Sequence, residues 1–252
     1  VSGALISGTG SGNTVTVTLP AGLSLTNSGT GTAVSGEAAG TSLTGQIQAS
    51  GTSATNQAFL DSHGQAFLNS LGGTALDIRT LTFSGSNGSQ QTIQLRGTAT
   101  GGPEALVIDT TGLTAGSTLQ LNYIDFAAIL GNAKVIGGSD SSSYIVGDDA
   151  AQRISLGNGS DTIAGGGGAD TVSSGGGEDL VYGNAGFDSL LGGDGMDTLY
   201  GGQDVDIVQG GNGNDVLYGD EGNDALWGGE NDDVLHGGQD QDLLYGDGGD
   251  DL

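Results

Sequence analysis

The sequence predicts an all-β chain in two parts. A β-rich, sandwich-like domain over residues 1–133, with one short helical insert near 56–72, precedes a repetitive solenoid of short strands. Three observations predict this. An aspartate recurs at every ninth position from Asp161 to Asp251, glycine supplies 53 of the 252 residues, and the charge changes abruptly along the chain. Residues 157–252 carry 18 Asp, 3 Glu and no Lys or Arg, whereas residues 1–156 hold the other 9 acids and all 4 bases.

In the first part, short stretches of alternating polarity read as strands: "NTVTVTLP", "SLTGQIQASG", "RTLTFSGSNGSQQTIQLRG", "EALVIDTTG" and "STLQLNYIDF". "SGSNGSQ", between two such runs, suggests a hairpin. The exception is "NQAFLDSHGQAFLNSLGG", a tandem octapeptide from Gln57 to Gly72 in which paired Phe and Leu recur. It predicts one helix interrupted or kinked at Gly64, or two short helical turns, ended by Gly72-Gly73. Residues 1–133 carry no family motif.

In the second part, two residues after each aspartate sits an aliphatic: Ile163, Val172, Val181, Leu190, Leu199, Val208, Leu217, Leu226, Leu235 and Leu244. Glycines crowd the five residues before each aspartate. The unit is G-G-x-G-x-D-x-U-x, with U aliphatic, and its fixed period signals a stacked repeat. Glycine supplies the positive φ that a tight turn requires. In the two-unit coil of the RTX (repeats-in-toxin) proteins that this nonapeptide resembles, rungs lie about 4.8 Å apart, so aspartates 18 apart in sequence come close together, and in a dry turn they repel. A hard divalent cation converts that repulsion into attraction, and Ca²⁺ takes 6–8 oxygen ligands from carboxylates and carbonyls, whereas Mg²⁺ demands a stiffer octahedron. The candidate ligands are Asp161, Asp170, Asp179, Asp188, Asp197, Asp206, Asp215, Asp224, Asp233, Asp242 and Asp251. They pair as 161/179, 179/197, 197/215, 215/233 and 233/251 on one edge, and as 170/188, 188/206, 206/224 and 224/242 on the other. That allows up to about nine calcium ions, whose charge nearly cancels that of the segment.

The nonapeptide resembles that of RTX (repeats-in-toxin) calcium-binding proteins over residues 157–252. The resemblance implies a parallel β-roll in which each unit is a six-residue turn followed by a three-residue strand, two units to the coil. It also implies that turn carbonyls complete each calcium shell, those at the second and fourth positions such as Gly166, Gly168, Gly193, Gly195, Gly211 and Gly213.

Several units depart from the pattern. The fourth position holds Asp204, Asn231 and Asp240 in three turns, and Ser174, Asn184, Asp220 and Asp247 replace other glycines. Asp and Asn tolerate the left-handed region better than other side chains, so these turns are expected to form. Upstream, the aliphatic period continues as Ile154, Ile145 and Ile136 while the aspartate positions hold Gln152, Ser143 and Lys134. Residues 134–156 are therefore expected to be calcium-free capping rungs, as repeat arrays require. At position nine, Tyr182, Tyr200, Tyr218 and His236 should form an outward ladder on one sheet, and Leu191, Gln209, Trp227 and Tyr245 line the other. The favoured reading is same-face stacking that stabilises the sheet; the alternative is a docking surface for a neighbouring domain or subunit.

The composition bounds the function. A net charge of −26 argues against nucleic acid and anionic membranes as partners. No run of 18 apolar residues is present, so no helical membrane span is predicted. There is no H-E-x-x-H, no G-x-S-x-G and no phosphate-cradling G-x-x-x-x-G-K-S/T. The two histidines are His63 and His236, and His63, beside Asp61 and Ser62, is expected on a helix surface. The segment is not expected to be an enzyme. It opens at Val1 without a basic-then-apolar leader and stops within the repeat at "GDGGDDL", as an excerpt of a longer protein would.

Three readings follow. The favoured one is a calcium-binding structural segment of a secreted bacterial surface protein, such as an S-layer subunit, adhesin or matrix fibre, with self-assembly or a cell-surface partner. The second is the C-terminal portion of a secreted RTX enzyme or toxin whose catalytic domain lies upstream. The third is an extracellular calcium buffer. The resemblance further implies type I export of the unfolded chain and folding on extracellular calcium.

Overall fold

The computed structural model describes residues 2–7, 14–29, 35–49, 53–85, 88–97, 103–139 and 142–252. Ser86 and Asn87 of "SGSNGSQ" lie outside these residues. The chain divides into two compact units: residues 1–136 with 144–148, and residues 137–143 with 149–252.

The first unit contains β1 (Ser2–Ser7), β2 (Thr14–Thr18), β3 (Ser24–Gly29), α1 (Gly36–Ala49), α2 (Ala54–Ser70), β4 (Asp77–Ser84), β5 (Thr92–Arg96), β6 (Glu104–Asp109), β7 (Thr118–Asn122), β8 (Phe126–Leu130), β9 (Lys134–Ile136) and β10 (Tyr144–Val146). One sheet runs β1-β2-β5-β7-β9 and the other β3-β4-β6-β8-β10. The pairs β1/β2, β2/β5 and β3/β4 are antiparallel. From β4 onward the pairing is parallel, and the chain alternates between sheets. The "SGSNGSQ" segment is therefore a crossover and not a hairpin: β4 and β5 lie in different sheets. The offset between paired residues shortens from 27 (Asp77↔Glu104) to 21 (Ala105↔Phe126) and then 18 (Phe126↔Tyr144). Without a repeat to fix the coil length, the loops set it.

The helical part is larger than expected. "SLTGQIQASG" begins inside α1, and its apparent strand alternation hides a helical face in which Ala39, Leu43 and Ile47, four residues apart, are buried. Helix α2 starts at Ser53, whose hydroxyl accepts from the Asn56 N–H at 3.2 Å. It runs unbroken through Gly64, because glycine is needed there for packing: a Cβ at Gly64 would stand 2.8 Å from Leu43 Cδ2. Gly72 and Gly73, at φ 58° and 89°, end it as predicted. Phe67 stacks on Phe126 at 4.9 Å, so the helices cover β8. That explains why β6 and β8 are buried on both faces.

The second unit is a parallel solenoid of β11 (Arg153–Ser155), β12 (Thr162–Gly167), β13 (Thr171–Gly176), β14 (Leu180–Ala185), β15 (Ser189–Asp194), β16 (Thr198–Gln203), β17 (Ile207–Asn212), β18 (Val216–Glu221), β19 (Ala225–Glu230), β20 (Val234–Gln239) and β21 (Leu243–Gly248). Odd-numbered strands form one sheet and even-numbered strands the other. Every pair is offset by 18, as in Leu199↔Leu217 and Val208↔Leu226. The aliphatics point inward, and those from Ile163 to Leu226 are at most 1% exposed. Each contributes about 1.5–3 kcal/mol of burial. From β12 onward the strands are six residues long, not three, because pairing resumes at the second and third turn positions, as in Gly193↔Gly211 and Asp194↔Asn212. Three-residue strands β9, β10 and β11 carry inward Val135, Ile145 and Ile154. At β9 the buried residue is Val135 rather than the expected Ile136, one position off the nonapeptide phase.

Candidate metal centre

Each six-residue turn of the second unit brings its closing aspartate back over its own first residue. Nine of the eleven aspartates, Asp161 to Asp233, are no more than 3% exposed. Asp242 is half-buried and Asp251 exposed.

The structure links these carboxylates coil to coil. The backbone N–H of each aspartate donates to Oδ1 of the aspartate 18 residues later. These bonds join 161 to 179, 179 to 197, 197 to 215, 215 to 233 and 233 to 251 on one edge, at 2.8–3.0 Å. On the other edge they join 170 to 188, 188 to 206, 206 to 224 and 224 to 242, over the same range. The pairs drawn from spacing are thus neighbours in space. Ser143 and Gln152, which stand where aspartates are missing, donate in the same way to Asp161 and Asp170.

The second carboxylate oxygen has a different fate. Oδ2 of Asp188, Asp197, Asp206, Asp215, Asp224 and Asp233 is buried with no hydrogen-bond partner. An ionised oxygen stranded this way costs several kcal/mol. Burial accordingly raises the carboxyl groups of this series, against the lowering effect of the backbone N–H bond. Asp206 is pushed up to about 8, Asp161 and Asp197 to about 7, and Asp188 and Asp215 to about 6. Neighbouring aspartates on the same edge add to the rise: Asp179 and Asp215 for Asp197, Asp188 and Asp224 for Asp206. A row of buried, mutually repelling carboxylates with one bare oxygen each fits a divalent cation.

The glycines explain how those oxygens are reached. A Cβ at Gly210 would collide with Asp215 Oδ2 and stand 2.6 Å from the carbonyl oxygen of Gly228, one coil on. The first turn position must therefore be bare. Ser174, the exception, puts its hydroxyl there, donating to Gly192 O at 2.9 Å and bonding the Asp179 side chain. The left-handed positions expected of Asn184, Asp204, Asp220, Asn231, Asp240 and Asp247 are all observed, at φ 70–83°.

Among the carbonyls named from sequence, those of Gly166, Gly193 and Gly211 lie within strands, facing Asn184, Gly211 and Gly229 across the ladder. Those of Gly168, Gly195 and Gly213 lie in the turns. The coil-to-coil N–H bonds go instead to third-position carbonyls: Gly195 N–H to Asn212 O at 2.8 Å, Gly213 N–H to Glu230 O at 3.1 Å. Among the described residues, no three Asp, Glu, His or Cys side chains converge as a closed metal cluster. An ion in these turns would draw most of its oxygens from the backbone.

The Oδ1 bond was missed by sequence reasoning, which treated each carboxylate purely as a ligand. The 18-residue offset sets one aspartate N–H beside the next aspartate but does not say which of its oxygens accepts. Elsewhere, His63 on α2 is half-buried: its Nδ1 lies 2.9 Å from the Tyr144 hydroxyl and its ring packs edge-on to Phe59. Ser62 donates to Phe59 O instead, so sequence adjacency forms no triad. The position-nine ladder stacks as expected, Tyr182–Tyr200–Tyr218–His236, with centroids 4.6–5.0 Å apart. Trp227 stacks on Tyr245 at 5.6 Å.

No curated relative matches the chain. A model of the RTX calcium-binding nonapeptide repeat, each match spanning 4 copies, matches in overlapping stretches: 146–181, 155–190, 173–208, 191–226, 200–235 and 218–252. Such repeats bind Ca²⁺ and form a structural β-roll, the architecture described above, and proteins that carry them are typically secreted. Residues 146–252 of this chain carry RTX calcium-binding nonapeptide repeats.

Proposed function

We propose that this chain is a calcium-folded structural segment of a secreted bacterial surface protein, an S-layer, adhesin or matrix component. The observation that carries the calcium reading is the double row of buried Asp Oδ2 atoms without partners. Asp161, Asp170, Asp179, Asp188, Asp197, Asp206, Asp215, Asp224, Asp233, Asp242 and Asp251 serve as the ligands. Fourth-position carbonyls such as those of Gly195 and Gly213 complete the shells, with up to nine ions at the nine steps. Calcium supplies the positive charge that lets these carboxylates stay ionised in a buried row. The chain's own residues do the rest: first-position glycines admit the carboxylates, N–H bonds fix each Oδ1, and the aliphatic row closes the interior. Export precedes folding on this reading, because the −21 segment stays expanded until calcium is plentiful.

Circular dichroism of the chelated chain tests it. β-structure of residues 149–252 should be lost at pH 8 and return with Ca²⁺ but not with equimolar Mg²⁺; spectra indifferent to calcium would sink the reading. The surface role is tested separately, by electron microscopy of the full-length protein with calcium. Lattices or filaments support it, and discrete monomers favour the C-terminal part of a secreted enzyme.

A further inference from the structure

Asparagine followed by glycine reacts with its own backbone, because glycine puts no side chain in the way and bends freely. The glycine nitrogen attacks the asparagine Cγ: the N–Cγ bond forms, the Cγ–Nδ2 bond breaks and ammonia leaves. Water then opens the resulting succinimide at either carbonyl. One opening gives aspartate, the other isoaspartate, which carries an extra methylene in the main chain. The sequence has three such pairs, Asn87-Gly88, Asn158-Gly159 and Asn212-Gly213. Asn87 lies outside the described residues, and the other two pairs lie in the second unit.

Asn158 and Asn212 are both exposed, so burial does not guard them. Hydrogen bonds do. The Asn212-Gly213 peptide is held from both sides: its carbonyl accepts from Gly195 N–H, one coil back, at 2.8 Å, and its N–H donates to Glu230 O, one coil on, at 3.1 Å. Asn212 Nδ2, the leaving group, donates to Asp194 Oδ1 at 2.7 Å. At the other pair, Gly159 N–H donates to Gly176 O at 2.6 Å, and Asn158 N–H to Ser139 O at 2.8 Å. In each pair the attacking nitrogen is a coil-to-coil donor, so ring closure must wait until the coil opens.

We propose that Asn158 and Asn212 are deamidation sites that the folded roll protects and the calcium-free chain exposes, so that they mark chains kept too long without calcium. The inference rests on the calcium reading above and adds a chemical consequence to it. At Asn212 both products do damage. Aspartate there loses the donor to Asp194 and sets a carboxylate between Asp194 and Glu230, its partners in register on either side; like charges directly opposite destabilise a sheet. Isoaspartate lengthens the main chain inside a repeat whose pairs are all offset by 18, and displaces the peptide that Gly195 and Glu230 hold. A chain aged without calcium therefore loses its capacity to fold.

The test is ageing of the full chain at pH 8 in calcium, in chelator and in urea, followed by peptide mapping with mass spectrometry, an enzymatic isoaspartate assay and circular dichroism. In urea and in chelator, the peptides carrying Asn158 and Asn212 should gain the mass of amide-to-acid conversion at similar rates, with isoaspartate. In calcium the conversion should be slower by on the order of tenfold or more, because local opening is rare. After ageing in chelator, the wild-type chain should recover progressively less β-structure when calcium is added. A chain carrying both Asn158→Gln and Asn212→Gln should recover what its own unaged sample does. Glutamine must close a larger ring, which is slower, and Gln203 and Gln239 already occupy the same turn position. The mapping needs no variant. Equal conversion in calcium and in urea, or an aged wild-type chain that refolds as fully as the doubly substituted one, overturns this inference and leaves the calcium reading standing. A chelated chain that keeps both its β-structure and its amides removes the calcium reading and this inference with it.

Discussion

The backbone N–H of Asp179 donates to Oδ1 of Asp197, one coil on, at 2.9 Å. The carboxylate thus has two separable duties, one oxygen accepting a hydrogen bond and the other bare. Asp197→Asn retains the acceptor and removes the charge, whereas Asp197→Ala removes both. Both variants should bind calcium more weakly. The alanine variant alone should also strand the buried Asp179 N–H, costing about 1–3 kcal/mol further. Denaturant unfolding at saturating calcium distinguishes them, and equal stabilities would show that the bond contributes nothing.

Position within the row matters as well. Asp197 is shared by steps 179/197 and 197/215, while Asp251 serves only 233/251. Asp197→Ala should lower calcium stoichiometry by two, and Asp251→Ala by one. Identical losses by equilibrium dialysis would contradict sharing between steps.

The pH response of the calcium-free chain has a definite sign. Asp206 is raised to about 8, Asp161 and Asp197 to about 7, and Asp188 and Asp215 to about 6, first by burial. An unfolded aspartate titrates near ~3.9. Below that, both states are protonated and the stabilisation is fully present. Between there and pH 8 the folded state holds the protons and the unfolded state does not, so stability falls. In chelator, β-structure should be stronger at pH 5.5 than at pH 8. With calcium the dependence inverts, because binding expels those protons. Proton release into a weakly buffered solution at pH 6.5 measures it, and calcium uptake without acidification would refute it.

Two glycine-to-alanine changes should have opposite signs. At Gly210 the new methyl meets the Asp215 carboxylate and the Gly228 carbonyl, and the calcium-loaded roll should lose about 3 kcal/mol. At Gly45, in α1, a Cβ meets nothing within 4 Å, and helix propensity should stabilise the first unit by up to about 1 kcal/mol. Thermal unfolding of the two variants checks both.

How much of this was legible depended on which interactions repeat. The second unit could be read from sequence because a nine-residue period is already a statement about neighbours: Leu199 must stack on Leu217 if Asp197 pairs with Asp215. The first unit offered only local patterns. In "SLTGQIQ" the buried Leu43 and Ile47 are set among small polar residues, so a four-residue interval passed for alternation. In "SGSNGSQ" the turn chemistry announced a change of direction but said nothing about which sheet the chain would enter next. At β9, Val135 and Ile136 are both good core residues, and only the pairing with Leu119 and Gln120 decides between them. At the metal centre, residue types identified the carboxylates but could not tell Oδ1 from Oδ2. That distinction exists only once one coil lies on another.

The unvarying offset of 18 carries an evolutionary implication. Loss or duplication of two nonapeptides merely shortens or lengthens the spring, because every surviving side chain keeps its face. Loss of a single nonapeptide inverts everything downstream: deleting residues 201–209 would set Trp227 behind Tyr200 in place of Tyr218 and splice a tyrosine column onto a mixed one. Length variation among descendants of this gene should therefore come in even numbers of units.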